Sequence, residues 1–98
     1  MSIETDLVDG NLTIRIIGTF NSNEQKAFRD AYKKTGIRQA TLDFQRTEFI
    51  DSSGISLLIG LHTSLKKMLI KPVTITNPSA GIKEIIEISR LDKFFTVQ

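Results

Sequence analysis

The distribution of apolar residues along the chain predicts an initial hairpin, followed by alternating helices and strands. Residues 3–8 favour a short strand, and Asp9-Gly10 is a strong turn signal. Residues 12–16 alternate apolar and polar side chains, which is the period of a strand with one buried face. Gly18 is expected to end this second strand. These features predict that the chain begins with two antiparallel strands.

A first amphipathic helix is predicted after the hairpin. Ser22 and Gln25 have the spacing of a capping box, in which the serine caps the helix and the glutamine side chain reaches back. Gly36 is expected to cap the other end of the helix. The apolar stripe between these signals has helical spacing. It consists of Ala27, Phe28, Ala31 and Tyr32.

The second half of the chain continues the alternation. Residues 40–44 and 73–76 are strand-like, and the most apolar segment, residues 55–70, predicts a long helix that Pro72 stops. A last helix is predicted to start after the turn at residues 77–79. The apolar residues expected to pack from this helix and from the tail are Ile82, Ile85, Ile86, Leu91, Phe94 and Phe95.

The element order β-β-α-β-α-β-α predicts a single α/β domain over residues 1–98. Strand–helix–strand units give parallel neighbours with right-handed crossovers, so the sheet should be mixed, with the hairpin antiparallel and the later strands parallel. The alternating second strand implies that one face of the sheet is solvated. The helices are therefore expected mainly on the other face.

Composition narrows the classes of function. The chain has 98 residues, of which 40% are hydrophobic and 24% charged, as in an ordinary globular domain. It has no cysteine, and its net charge of +2 is spread along the chain without a basic stripe, which argues against nucleic-acid binding. No signal peptide or membrane-length apolar run is visible, so we expect a cytoplasmic protein that does not insert into membranes. We also expect it to be monomeric when free.

The junction between the strand at residues 40–44 and the long helix carries the most informative residues. Asp51 and Ser52 are both good N-cap residues, because their short side chains can accept hydrogen bonds from the free N–H groups of a first helical turn. Ser53 is expected in that turn, small and exposed, where the helix dipole favours negative charge. A phosphate could be added there without steric conflict.

The long helix is predicted to have two contrasting faces. At about 100° per residue, the core-facing positions are Ile55, Leu58, Ile59, His62, Leu65 and Leu69. The opposite face carries the small or polar residues Ser53, Ser56, Gly60, Thr63, Ser64 and Lys67, with Leu57 at its border as a candidate apolar anchor. Because Gly60 is unfavourable inside a helix, its presence suggests close packing on one side. By itself this face of small residues would not indicate a binding surface, but it suggests one because it continues from Ser53.

Several kinds of catalytic or binding site are absent from the sequence. There is no phosphate-binding loop of the Gly-x-x-x-x-Gly-Lys type and no Gly-x-Ser-x-Gly elbow. His62 is predicted to be a partly buried packing residue rather than a base. Asp43 and Asp51 alone do not make a metal site. The sequence therefore predicts a protein that is not an enzyme and that needs no metal or cofactor.

Four segments together resemble the STAS domain family, and within it the bacterial anti-sigma factor antagonists. They are Leu-Asp-Phe at 42–44, Phe-Ile-Asp-Ser-Ser-Gly-Ile at 49–55, Asn-Pro-Ser at 77–79 and Leu-Asp-Lys-Phe-Phe at 91–95. The resemblance covers residues 3–95. It is fairly specific, because the Asp-Ser-Ser-Gly motif lies at a strand-to-helix junction in this order of elements.

The resemblance implies a role in partner switching. In that family the second serine of the motif is phosphorylated by a partner that is both a kinase and an anti-sigma factor. The role maps onto Ser53, and the family's two aspartates map onto Asp51 and Asp43. The unphosphorylated form binds this partner and frees its target, phosphorylation breaks the complex, and a phosphatase resets it. The expected partner-binding residues are Asn21, Asp51, Ser52, Ser53, Gly54, Ser56, Leu57, Gly60, Thr63, Ser64 and Lys67.

The chain departs from the family pattern at one position near the motif. Antagonists usually carry Leu-Asp after the second strand, whereas this chain has Phe20-Asn21. Two other functions stay open from the sequence. One is a STAS subunit that binds the ATPase of a lipid-transport complex without phosphorylation, and the other is a scaffold or ligand-binding domain in which Ser53 only caps the helix.

Overall fold

The computed structural model describes residues 3–98 and contains an α/β fold. Strands in this range are β1 (Ile3–Val8), β2 (Asn11–Ile16), β3 (Gly18–Phe20), β4 (Gln39–Asp43), β5 (Thr47–Ile50), β6 (Thr74–Thr76) and β7 (Thr96–Val97). The helices are α1 (Gln25–Tyr32), α2 (Ser52–Leu65) and α3 (Ala80–Ile88). Short 3-10 turns occupy Ser22–Glu24 and Leu91–Lys93.

The main sheet is mixed, as predicted. Its strand order is β1-β2-β4-β6-β7, with β1 and β2 antiparallel and the other pairs parallel. The register aligns Ile14, Leu42 and Ile75 across three strands, and all three side chains are completely buried. The next positions along these strands are Arg15, Asp43 and Thr76, which are only half-buried. One face of the sheet is therefore apolar and the other is polar.

The helices pack on the apolar face. Phe28 of α1, Leu58 and Leu61 of α2, and Ile82 of α3 belong to one buried cluster together with the inner sheet residue Leu42. Burial of a large apolar side chain contributes about 1.5–3 kcal/mol, so this shared cluster is the main source of stability. The fold confirms the predicted mixed sheet with an N-terminal hairpin and helices mainly on one side.

Ion pairs cover part of the polar face. Arg15 donates hydrogen bonds to Glu4 Oε1 at 3.3 Å and to Asp6 Oδ2 at 2.6 Å. The hydrogen bonds to Asp6 and then Glu4 raise the pKa of Arg15 above its usual value. Because both carboxylates are solvent-exposed and Arg15 is only half-buried, the pairs add little to stability.

Three short strands were not predicted. β2 ends at Ile16, and Gly18, which was expected to end it, is the first residue of β3. Gly18 has a φ of +81°, and its N–H donates to Arg46 O at 2.9 Å. β3 pairs in parallel with β5 in a separate two-stranded ribbon. The sequences Gly-Thr-Phe and Thr-Glu-Phe-Ile are too short to show a period, so only the tertiary pairing defines them. The third is β7, at the C-terminal edge.

The predicted capping of α1 is wrong. The N-cap of α1 is Glu24, whose side chain makes no capping hydrogen bond. Ser22 instead begins a 3-10 turn capped by Asn21, whose Oδ1 accepts from Asn23 N at 2.9 Å. Gln25 is the first residue of α1 and not a capping-box partner. The helix ends at Tyr32, so Gly36, although its φ is +80°, lies in the following loop. The 3-10 turn, capped by Asn21, leads directly into α1 and takes the place of the predicted capping box.

The predicted buried face of α2 is partly wrong. Leu58 and Leu65 are buried as predicted, but Leu61 is also buried and Ile59 is 39% exposed. The helix carries apolar residues on several sides, so its periodicity does not determine which side faces the core. His62 is half-buried, with its ring centroid 4.7 Å from that of Phe94.

The C-terminal elements agree largely with prediction. Ser79 caps α3, because its Oγ accepts from Ile82 N at 3.2 Å. Leu91 and Phe95 are buried in the core, while Phe94 is 37% exposed. The tail is therefore packed, and it ends as the strand β7 beside β6.

Candidate functional site

The candidate site is built where the short parallel ribbon meets α2. Phe20 of β3 and Ile50 of β5 are register partners, and Asp51 N donates to Phe20 O at 3.3 Å. Because β3 and β5 are parallel, the segments that follow them leave the ribbon at the same end. Asn21 and Asp51 follow directly, so the pairing that was not predicted brings these two polar residues together.

Asp51 is the N-cap of α2. Its Oδ1 accepts from Gly54 N at 2.9 Å, which satisfies one of the free N–H groups of the first turn. The same oxygen accepts from Ser53 Oγ at 2.6 Å. The hydrogen bond from Ser53, followed by that from Gly54, lowers the pKa of Asp51 below its usual value. Asp51 is therefore a carboxylate whose charge faces the Ser53 hydroxyl.

Ser53 lies in the first turn of α2, as predicted, and is half-buried rather than fully exposed. It lines an open cavity of about 260 Å³ together with Ser22, Gln25, Arg29, Ser56 and Leu57. The hydroxyl is thus not enclosed by the core, and the cavity has space for additional oxygen atoms. The cap is Asp51, so Ser53 supports the helix start only through its hydrogen bond to that residue.

Gly54 differs from its neighbours in the motif because it is buried. A Cβ at this position would clash with the backbone carbonyl of Phe20 and would lie 2.9 Å from Ile50 Cγ2. Any side chain here would push α2 away from the ribbon. The glycine is therefore explained by the close approach of helix and strand, and it offers no side chain to a partner.

The predicted partner-binding face of α2 divides into two parts. Ser56, Leu57, Gly60 and Ser64 line a groove of about 400 Å³ between α1 and α2, which also includes Met68. Ser52, Thr63 and Lys67 are exposed but do not line this groove. Leu57 is half-buried and packs against the edge of the core.

Gly60 is not explained by packing within the described part of the chain. Apart from its chain neighbours and the adjacent backbone of α2 itself, no atom lies within 4 Å of the position that a Cβ would occupy. The expectation that this glycine accommodates a close neighbour is therefore wrong for the free domain. The space beside it opens into the groove between α1 and α2.

Asp43 has a different environment from that of Asp51. Its Oδ1 accepts from Gln45 N at 3.0 Å and from Asn77 Nδ2 at 3.2 Å. It thus connects the end of β4 to the turn after β6. In the described residues, its hydrogen bonds tie it to these loops and not to Ser53.

Three residues near the site were not identified from the sequence. Arg29 and Gln25 reach the Ser53 cavity from α1, and the side chain of Phe49, two residues before Asp51, is 51% exposed. The helical spacing of Gln25 and Arg29 was visible, but nothing in the sequence showed that α1 lies beside the motif. Phe49 belongs to β5, which has no alternating pattern.

Other kinds of site find little support in the described residues. His62 lines a separate cavity with Lys66, Lys93 and Phe94, so it does not face Ser53. Within residues 3–98, no group of three or more His, Cys, Asp or Glu residues is arranged to hold a metal ion. No helix in this range is long and apolar enough to cross a membrane.

Comparisons with known proteins identify the family. The STAS domain family model matches residues 2–98. A STAS-domain containing protein from Pseudomonas aeruginosa strain UCBPP-PA14 is 30% identical over 90 residues, which cover 88% of this chain and 86% of the relative. The chain therefore belongs to the STAS domain family.

Solved structures show the same fold. The unphosphorylated anti-sigma factor antagonist SpoIIAA superposes with a TM-score of 0.80 at 20% identity, covering 98% of this chain and 87% of the other. The Bacillus cell fate determinant SpoIIAA in its phosphorylated form gives a TM-score of 0.68 at 18% identity, covering 98% and 90%. At these identities the likeness establishes the architecture of the domain.

Proposed function

We propose that this protein is a phosphorylation-regulated anti-sigma factor antagonist that switches partners through Ser53. The unphosphorylated form binds a kinase-type anti-sigma partner and releases that partner's target. Phosphorylation of Ser53 breaks the complex, and a cognate phosphatase restores it. The observation that carries the proposal is the accessible Ser53 hydroxyl, held by Asp51 at 2.6 Å where a surface cavity opens at the start of α2.

The relatives support this proposal. The chain has the fold of SpoIIAA, an anti-sigma factor antagonist for which unphosphorylated and phosphorylated forms are known. The Asp-Ser-Ser-Gly motif of this chain lies at the junction of β5 and α2. A regulated hydroxyl at this junction would be presented beside the groove between α1 and α2, where Leu57 and Met68 offer apolar contact.

Phosphate would act locally in this mechanism. A phosphoserine carries about −1.5 to −2 charges at pH 7 and three strong acceptor oxygens. The N-terminus of α2 tolerates this charge, so the domain stays folded. A partner that covers the site must desolvate the dianion beside the Asp51 carboxylate, and burying unpaired charge costs several kcal/mol. Since about 1.4 kcal/mol is a tenfold change in affinity, one phosphate is sufficient to break the complex.

Gly60 gives independent support for a partner on the groove. It has no neighbour that requires a glycine, yet glycine destabilises a helix interior by about 1 kcal/mol relative to alanine. A partner whose backbone approaches α2 closely at this position would account for the residue. The groove on which Gly60 lies is continuous with Ser56 and Leu57, which also line the Ser53 cavity.

Phosphotransfer to a single serine tests the proposal. The kinase-type partner encoded by the same cell is incubated with ATP and with wild-type protein, Ser53→Ala or Ser52→Ala. We expect phosphate on the wild type and on Ser52→Ala, and none on Ser53→Ala. Ser52 is the matched control because it is the adjacent hydroxyl on the same helical turn. Phosphorylation of Ser53→Ala at an equal level would contradict the assignment.

The same proteins separate this function from the transport alternative. A subunit of a transport ATPase would bind its partner tightly with or without the Ser53 hydroxyl, and it would not be phosphorylated. Stable ATPase binding that is insensitive to both Ser53→Ala and Ser53→Asp would therefore replace the antagonist proposal.

A further inference from the structure

We infer that Arg29 is the intramolecular counter-ion of phosphorylated Ser53, which it would hold in the cavity between α1 and the start of α2. This inference rests on the proposed modification of Ser53 and specifies how the domain receives the phosphate. Arg29 and Ser53 line the same cavity although they belong to different helices. Among the described residues that line this cavity, Arg29 is the one with a charge.

The present partners of Arg29 leave its charge available. With its amide oxygen turned toward the guanidinium, Gln25 accepts from Arg29 Nη1 at 3.0 Å and from Nη2 at 3.1 Å. Gln25 is neutral, and none of the ion pairs in the described part of the chain involves Arg29. The guanidinium is thus held near the cavity by a group that a phosphate can displace.

The geometry around Asp51 determines where the phosphoryl group goes. Ser53 Oγ now donates its proton to Asp51 Oδ1, and an ester oxygen has no proton to donate. The hydrogen bond is therefore lost on phosphorylation and is replaced by repulsion between the dianion and the carboxylate. Rotation away from Asp51 directs the phosphate into the open cavity. Planar guanidinium groups bind phosphate with two parallel hydrogen bonds, and Arg29 lines the cavity that the phosphate would enter.

Capture of Arg29 would also change the partner surface. Arg29 lines the groove between α1 and α2 as well as the Ser53 cavity. An arginine bound to the phosphate would be withdrawn from that groove. The ion pair would also have to be broken or desolvated before a partner could cover the site, which is a cost separate from the repulsion between the phosphate and Asp51.

The second pKa of the phosphoserine measures this contact directly. Phosphoserine is placed at position 53 during translation, so neither kinase nor partner is needed, and its phosphorus-31 signal is followed as a function of pH. The free group titrates near pH 6. A cation held at hydrogen-bond distance should lower that value by roughly half a unit or more. Arg29→Gln should therefore raise the pKa of phosphoserine by about the same amount, whereas Arg29→Lys should raise it less.

Lys26→Gln is the matched control. It removes one positive charge from the same helix, but Lys26 pairs with Asp30, is 92% exposed and does not line the Ser53 cavity. A phosphoserine pKa in Arg29→Gln that is no higher than in Lys26→Gln would overturn the inference. The Arg29 Nε–H signal gives a second readout: it should shift on phosphorylation of Ser53, and an unchanged signal would also count against the contact.

This test is independent of the proposed switch. If no kinase phosphorylates Ser53, the antagonist proposal fails, but the pKa difference between the variants remains measurable. If Ser53 is phosphorylated and Arg29→Gln leaves the pKa unchanged, the antagonist proposal stands and the assignment of Arg29 fails.

Discussion

At the scale of single residues, the Asp51 carboxylate organises the site. One oxygen caps α2 through Gly54 N and also orients the Ser53 hydroxyl. Two features therefore depend on the same atom: the start of the helix and the orientation of the Ser53 hydroxyl. The sequence predicted Asp51 as one of two possible caps, and the structure identifies it as the cap.

Two replacements of Asp51 should show how much its role as helix cap contributes to stability. Asp51→Asn keeps an oxygen that caps the helix, since asparagine and aspartate are about equally good caps. Asp51→Ala removes it, so its Tm should be lower than that of Asp51→Asn. A thermal unfolding series of the three proteins checks this. Equal Tm values for the two variants would show that the cap does not stabilise α2.

The depressed pKa of Asp51 predicts the direction of a pH effect. Folding favours the carboxylate, so its contribution to stability is fully present above the unfolded pKa near 3.8. It is lost as the pH falls from that value through the lower pKa of the folded state. The difference in free energy of unfolding between wild type and Asp51→Asn should therefore shrink across this acidic window. A difference that is independent of pH there would contradict the hydrogen-bonded carboxylate.

At the scale of elements, the position of α2 depends on its contact with the β3–β5 ribbon. Gly54 permits this contact, whereas Gly60, less than two turns further along the same helix, faces open space. From the sequence, close packing was expected at Gly60, whereas Gly54 was identified only as part of the motif and of the partner-binding residues. Their different roles depend on β3 and β5, which are too short to be predicted from periodicity and are defined only by pairing with each other.

Alanine at these two glycines should have opposite effects on stability. Gly54→Ala forces a Cβ against the Phe20 backbone and should lower the free energy of unfolding by about 1–3 kcal/mol. Gly60→Ala meets no atom and should raise it by up to about 1 kcal/mol. Denaturant titrations of both variants measure the two changes. Destabilisation by Gly60→Ala would show a packing constraint on that side of α2.

Gly60→Ala also tests the groove as a partner surface. If a partner approaches α2 closely there, this more stable variant should bind it more weakly than wild type does. Thr63→Ala is the control, because Thr63 is exposed on the same helix but lies outside the groove. If Gly60→Ala bound the partner with unchanged affinity, the groove would not be the partner interface.

At the scale of the whole molecule, the sequence predicted the architecture better than the site. Long periodic segments, such as those that became β2 and α3, identified the mixed sheet and the helical side. Proximity between elements that are distant along the chain was not predictable: α1 brings Arg29 to the Ser53 cavity, and Asp43 is hydrogen-bonded to Asn77 in the turn after β6. Neither arrangement leaves a periodic signal, because each depends on how elements pack.

The domain should remain folded as a whole when Ser53 is phosphorylated. The cavity is already open and the helix N-terminus favours negative charge, so no core residue must move. Amide chemical shifts of the phosphorylated protein should change around β3, α1 and the start of α2, and little in α3 or β7. Changes spread across the main sheet would indicate a conformational switch instead.

The most direct measurement is the affinity of the kinase-type partner for unphosphorylated protein and for protein carrying phosphoserine at position 53, determined by calorimetric titration. Repulsion from Asp51 and desolvation of the phosphate predict that the phosphorylated protein binds at least about tenfold more weakly, which corresponds to about 1.4 kcal/mol or more. Equal dissociation constants for the two forms, both fully folded, would contradict the central claim that one phosphate at the start of α2 breaks the complex.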